Sequence, residues 1–378
     1  MNRIFLFILS VCWSLLSFGQ QSLETTLNRL VNSAYERENV HNVFLRLNSP
    51  SKKRTFEFVA GISQDGDTLS NATPFYLASI GKTFTATAIG MLKDQGKLQF
   101  DDQINKYLSA EIMTKLHVLE TIDYSNEITI AQLLQHTSGL PDYFEDATLD
   151  NSPNMINLLF ATPTRNWKPK ELIQFSKEKM KPLFAPGKGY HYTDTEYVLL
   201  GLIIEKISGL ALHDFFKQYI FQPLQLQHTY MNLRSAPIAE TPKMAEIYVS
   251  SYEVSGFQSL SADWAGGGIV STTNDLIRFQ KALFAGKLVH KETFKAMQQW
   301  TPETLGMYYG FGLRKVVLNE LSAEFPKLTL IGHSGSTASF LYYCPELDVY
   351  ITGTLNQIEA SKDALILVAN ILSAIEKK

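Results

Sequence analysis

Ser79 and Lys82 stand three residues apart in Ala78-Ser79-Ile80-Gly81-Lys82-Thr83-Phe84-Thr85, where an apolar, helix-compatible run begins. Residues three apart share one face of a helix, so the hydroxyl and the amine can touch. A serine becomes a useful nucleophile when a neighbouring base takes its proton, and lysine is such a base only where burial holds it partly neutral. Backbone N–H groups of a first helical turn are unpaired and point at any oxyanion developing beside them. The same spacing also fits a helix-capping serine followed by a solvated lysine. Gly81-Lys82-Thr83 looks like the end of a phosphate-binding loop, but that motif needs a glycine five residues before Gly81, where Tyr76 stands.

Two further stretches hold side chains of the same kind. In Phe184-Ala185-Pro186-Gly187-Lys188-Gly189-Tyr190-His191-Tyr192-Thr193-Asp194, Pro186-Gly187 marks a turn, and Tyr197, Leu200, Ile204 and Ile207 then recur at helical spacing. Tyr192 and Asp194 therefore sit on an ordered loop ahead of a buried helix, a usual place for catalytic side chains. Asp194 also fits the N-cap of that helix. Gly332-His333-Ser334-Gly335-Ser336-Thr337 falls between two expected strands.

The elements that must position these groups follow from hydrophobic spacing. Residues 23–35 predict a helix, 41–47 and 55–60 a hairpin, and the helix carrying Ser79 and Lys82 ends before Gly96. Residues 98–261 read as mostly helical with long connections. Within them residues 128–135 form a short helix, Gly139 suits its left-handed cap, and His136 reads as a capping or packing residue rather than a catalytic one. The run Gly266-Gly267-Gly268 reads as close backbone packing beside the site. Strands are expected at 328–332, 338–343 and 349–353, and a closing helix at 364–375. Strands from both chain ends with helices between them predict one sheet interrupted by a helical domain.

The chain of 378 residues is 45% hydrophobic and 19% charged, with a formal net charge of -3 and no long run of one sign. That balance points away from nucleic acid and polyanionic partners. Arg3, an apolar run over residues 4–18 and the small residues Ser17 and Gly19 read as a secretory signal peptide cleaved after Gly19. The run is shorter than the about 20 residues of a spanning helix. Val11 before Cys12 argues against a lipid anchor, so no stable membrane anchor is expected. Beyond the leader Cys344 stands alone, which excludes an intrachain disulfide. The eight histidines form no His-x-x-x-His pair, and neither a metal nor another cofactor is expected.

Taken in order, Ser79-x-x-Lys82, Tyr192-x-Asp194 and His333-Ser334-Gly335 resemble the motifs of the penicillin-recognising serine hydrolases, the serine β-lactamases and D,D-peptidases, and most closely the class C and D,D-carboxypeptidase branch. His136-Thr137-Ser138-Gly139-Leu140-Pro141, Leu199-Leu200-Gly201, Pro223-Leu224 and the stretch from Gly267 to Leu276 extend the resemblance over nearly the whole mature chain. It implies an α+β fold of the β-lactamase/transpeptidase type, an antiparallel sheet flanked by helices with an inserted all-helical domain. The expected division is residues 20–97 plus 262–378 for the sheet domain and 98–261 for the helical one. By the resemblance Ser79 is acylated, Lys82 activates it, and Tyr192 shuttles a proton to the leaving group. His333, Ser334 and Gly335 hold a substrate carboxylate and strand edge, and the N–H groups of Ser79 and Ser336 form the oxyanion hole. Each such donor typically lowers the barrier by about 3 to 4 kcal/mol.

Two positions depart from the pattern. Asp194 replaces the family's asparagine, and an ionised carboxylate there favours the ammonium form of Lys82. His333 replaces the lysine of most β-lactamases, and its charge is expected to change across mildly acid pH. The expected activity is that of a secreted or periplasmic hydrolase acting on a small-molecule or peptide substrate, foremost D-amino-acid peptides of cell-wall stem type. An esterase or D-aminopeptidase is the alternative, and a non-catalytic β-lactam- or peptidoglycan-binding protein is the alternative of another class. The loops 142–167 and 240–264 are expected to line the pocket, with Trp167, Tyr190, Tyr252 and Trp264 as candidate aromatics.

Overall fold

A computed structural model describes residues 22–377. The leader expected at 1–19, with Cys12, lies outside them. In chain order the elements used below are α1 (Leu23–Tyr35), β1 (Asn42–Ser49), β2 (Arg54–Gly61), α2 (Gly81–Asp94), α3 (Ile130–Leu134), α4 (Asp194–Ser208), α5 (Trp264–Gly267) and α6 (Thr273–Phe284). They are followed by β3 (Thr301–Thr304), β4 (Met307–Tyr309), β5 (Arg314–Val317), β6 (Thr329–Ser334), β7 (Phe340–Cys344), β8 (Val349–Thr354) and α7 (Ser361–Glu376).

Eight strands form one antiparallel sheet in the order β3-β4-β5-β6-β7-β8-β1-β2. The seam joins the chain ends, with β1 on β8 from Phe44 opposite Thr354 to Asn48 opposite Tyr350. Strand alternation sends successive side chains to opposite faces. Val43, Leu45 and Leu47 accordingly join Leu27, Val31, Val368 and Leu372 of α1 and α7 on one face. Phe44 instead enters the larger core on the other face, which also holds Phe84 of α2 and Phe279 of α6.

The sequence reading places the outer elements within a few residues but misses β3, β4 and β5. Those strands have three or four residues, carry Arg314 and Lys315, and are separated by Gly306, Gly310 and Gly312, so no run is long enough to show a period of two. Residues 98–261 are not purely helical: they hold the short hairpins Val118–Leu119 with Ile122–Asp123 and Tyr248–Val249 with Tyr252–Glu253. Tyr230–Met231 also pairs with Ile269–Ser271, which pairs in turn with Phe75–Tyr76.

Helix α2 is buried on all sides from Gly81 to Gly90. Its threonines satisfy carbonyls at that depth: Thr83 donates to Gly312 O and Thr85 to Ala265 O, each at 2.7 Å. The Phe84 ring stacks on Phe279 with centroids 3.8 Å apart, fixing the helix against α6. Phe84→Ala is expected to lower stability by about 3–5 kcal/mol through the cavity it leaves, seen as an earlier denaturant midpoint.

Candidate active site

Ser79 lies in a 3-10 turn, Ala78–Ile80, that runs directly into α2. Ala78 before it adopts φ +46°, a left-handed conformation that costs of order 1–3 kcal/mol outside glycine. The β6–β7 connection holds the turn in place. Thr337 donates to Tyr76 O at 3.1 Å and Ser339 to Leu77 O at 2.7 Å. A Cβ on Gly335 would lie 2.2 Å from Leu77 O, so glycine is what lets this connection approach the turn that carries Ser79.

Lys82 is fully buried, and its Nζ donates to Ser79 Oγ at 3.3 Å, to Asp194 Oδ1 at 2.5 Å and to Gly266 O at 3.2 Å. Burial by itself would lower the lysine pKa, but the Asp194 carboxylate more than reverses this and holds Lys82 as ammonium well above the usual lysine range. The α3–α4 region brings Asp194 into place. Thr193 caps α4 by accepting the N–H of Thr195, so Asp194 is the first helical residue and not the cap. The backbone N–H of Asp194 donates to Asp142 Oδ1 at 2.8 Å. A Cβ on Gly266 would stand 2.1 Å from Asp194 Oδ1, which gives the glycine run the close-packing role read from the sequence.

Tyr192 completes the set. The Lys82 Nζ lies 4.9 Å from the centroid of its ring and Arg314 Cζ lies 5.5 Å from it. Burial raises the phenol's pKa, Lys82 lowers it and Asp194 raises it, with the net direction upward. Tyr192 therefore rests as a phenol beside the Ser79 hydroxyl.

Ser79, Tyr192, Asp194 and Ser336 open into one cleft of about 200 Å³, with Lys82 immediately behind it. The two loops expected to line it supply Phe144, Ile156, Leu159, Ile247, Val254 and Leu260, and Ile358 from outside them adds to this apolar lining. The candidate aromatics are elsewhere: Trp167 and Trp264 are buried, Tyr190 is half-buried and Tyr252 is exposed, and none lines the cleft. The cleft carries further acids. Asp142 is pushed up to about 7 by burial and then by Asp194. Asp263, which accepts the Tyr76 hydroxyl at 2.8 Å, is pushed up to about 6 by burial and then by Asp194.

His333 is not a substrate-facing cation. Its ring is fully buried, Nδ1 donates to Ser334 O at 2.7 Å, and Nε2 accepts the Tyr309 hydroxyl at 3.0 Å. Burial, followed by Arg314, holds it well below the usual histidine range, so it stays neutral across mildly acid pH, contrary to the sequence expectation. The cation beside Ser334 is Arg314, whose Nη1 donates to Ser334 Oγ at 3.3 Å. Nothing in spacing announced Arg314, which sits on a short polar strand the sequence reading missed.

His136 takes the packing role expected of it, at φ +60° and fully buried. Its ring centroid is 4.3 Å from that of Tyr192 and 4.5 Å from that of Tyr309. Its Nδ1 is 2.6 Å from Glu196 Oε2, and burial drives both groups toward their neutral forms. Gly139 is left-handed too, but α3 ends before it; the glycine serves close approach, since a Cβ there would lie 2.0 Å from Phe184 O.

Residues 56–374 match the family model described as Beta-lactamase. The chain belongs to the Beta-lactamase family. It is 29% identical over 265 residues to Penicillin-binding protein 4* of Bacillus subtilis, covering 63% of this chain and 51% of that protein. It is 25% identical over 301 residues to a putative D-alanyl-D-alanine carboxypeptidase of Escherichia coli, covering 71% of this chain and 66% of that one. The match to the first thus spans about half of that relative's length. The D-amino acid amidase of Ochrobactrum anthropi SV3, crystallised with L-phenylalanine, has the same fold at a TM-score of 0.77 and 22% identity, over 94% of this chain and 99% of the amidase.

Two substitutions test the geometry. Gly266→Ala is expected to part Asp194 from Lys82, with about tenfold or greater loss of hydrolytic activity and a destabilisation of about 1–3 kcal/mol, read by kinetics and denaturant titration. Asp194→Asn removes the largest influence raising Lys82, so burial then lowers the amine and the pH profile of kcat/KM moves to lower pH. A profile unchanged between pH 5 and 10 would show that Asp194 does not set the lysine's charge.

Proposed function

We propose that the chain is an exported hydrolase that forms an acyl-enzyme on Ser79 and acts on small peptides, amides or esters, foremost those built on D-amino acids, with cell-wall stem peptides as one source. The observation that carries this reading is the single contact set at the cleft floor, with Lys82 Nζ 3.3 Å from Ser79 Oγ and Tyr192 beside both. The names of the relatives support the substrate class, and the leader-like residues 1–19 support export. Among the described residues no helix is long and apolar enough to cross a membrane.

In this mechanism Ser79 Oγ attacks the substrate carbonyl and its proton passes to the Tyr192 oxygen, while Tyr192 gives its own proton to the leaving nitrogen or oxygen. The phenol is therefore never required to ionise at rest, in keeping with its raised pKa. Lys82, an ammonium ion paired with Asp194, stabilises the charge that develops between them. The N–H groups of Ser79 and Ser336 receive the carbonyl oxygen. Water then releases the acyl group by the reverse relay.

Incubation with benzylpenicillin and, separately, with an alkyl fluorophosphonate, followed by intact and peptide mass, tests the reading. A one-to-one adduct on Ser79 with at least one reagent is expected, and Ser79→Ala is expected to abolish it. Absence of both adducts would overturn the acyl-enzyme reading in favour of a binding protein on this scaffold.

A further inference from the structure

Glu303 lies at an irregularity in the outermost strand of the sheet. Pro302 pairs with Tyr308 and Thr304 with Met307, so Glu303 is the extra residue of a bulge in β3. Bulges beside functional sites re-aim a side chain. Here the carboxylate is turned onto the Arg314 guanidinium, accepting from Nη2 at 2.6 Å and from Nε at 2.7 Å. The remaining arm, Nη1, meets Ser334 Oγ at 3.3 Å. Both partners are largely withdrawn from solvent, with side-chain exposures of 14% for Glu303 and 13% for Arg314. A fork of two parallel bonds to a carboxylate is the strongest pairing a guanidinium makes, and it consumes the edge that would otherwise receive a carboxylate from outside.

Among the described residues no lysine or arginine lines the cleft that holds Ser79, although Lys362 shares a separate cavity with Ser334 and Gly335. Lys82 is paired with Asp194 and His333 is neutral. Asp142, Glu145 and Asp263 line the cleft itself. We propose that Glu303 is a built-in occupant of the carboxylate-binding position beside Ser334. The site is then specific for substrates whose leaving end is neutral, such as a carboxamide, an ester or a continuing peptide, in preference to a free C-terminal carboxylate. This rests on the reading that Ser79 is acylated, and it narrows that reading from carboxypeptidase toward amidase, esterase or endopeptidase action.

The test separates binding from turnover. In the full chain carrying Ser79→Ala, calorimetry compares N-acetyl-D-alanyl-D-alanine with its C-terminal carboxamide, with and without Glu303→Gln. With Glu303 present the carboxamide is expected to bind at least as tightly as the free acid. Glu303→Gln is expected to shift the acid-to-carboxamide affinity ratio toward the acid by about tenfold or more, the ordinary worth of one charge-assisted hydrogen bond. A ratio unmoved by Glu303→Gln overturns the proposal. So does a tenfold preference for the acid while Glu303 is in place, a comparison that decides the matter even where the glutamine variant fails to fold. Neither outcome depends on turnover: failure of Ser79 to label would sink the acyl-enzyme chemistry and leave the affinity ratio to judge Glu303.

Discussion

A buried ammonium ion is the constraint around which this molecule is built. Lys82 has no exposed surface, and taking its charge out of water costs several kcal/mol unless a partner of opposite sign and further acceptors meet it. Asp194, Gly266 O and Ser79 Oγ meet it from three separate parts of the chain. Each of those parts carries a visible adaptation. Position 266 has no side chain, Thr193 caps α4 so that Asp194 opens the helix and can turn inward, and Asp142 satisfies the Asp194 N–H. Loss of either charge would leave the other buried and alone, a change of about 3–5 kcal/mol in comparable pairs.

The proposed nucleophile, Ser79, depends on a second constraint, the crowding of backbone around a left-handed alanine. The sheet supplies that crowding at the end of β6, where Gly335, Thr337 and Ser339 close on Tyr76 and Leu77. Because β6 lies in the middle of an antiparallel sheet whose seam joins the two chain ends, the position of Ser79 depends on strands more than 250 residues away. In the proposed mechanism this fixed geometry lets attack proceed with little reorganisation of the protein, the condition under which aimed donors and charges lower a barrier most.

Charge at this site is paired at short range. Lys82 answers Asp194 and Arg314 answers Glu303, while burial drives His136 and His333 toward neutrality. What the cleft shows to a ligand is therefore an apolar wall from the two long loops together with carboxylates whose proton affinity burial has raised. In the proposed reading, selection among substrates falls to shape and to the cost of bringing a second negative charge into that field.

What the sequence alone determined was the part written in short-range pattern. Ser79 and Lys82 are three apart on a helix start, Tyr192 and Asp194 precede a helix of clear apolar period, and the outer strands of the chain alternate or run apolar long enough to be read. The resemblance these motifs carry extended that reading to the fold. Tertiary structure alone decided which way His333 faces, because a ring on a strand can turn to the cleft or to the core, and here the Tyr309 hydroxyl and the Ser334 carbonyl hold it in the core. It also decided that the cation beside Ser334 is Arg314 and that Glu303 occupies it. Strands of three or four residues leave no period to read, and a bulge that swings one side chain across two neighbouring strands has no signature in the spacing of the residues it joins.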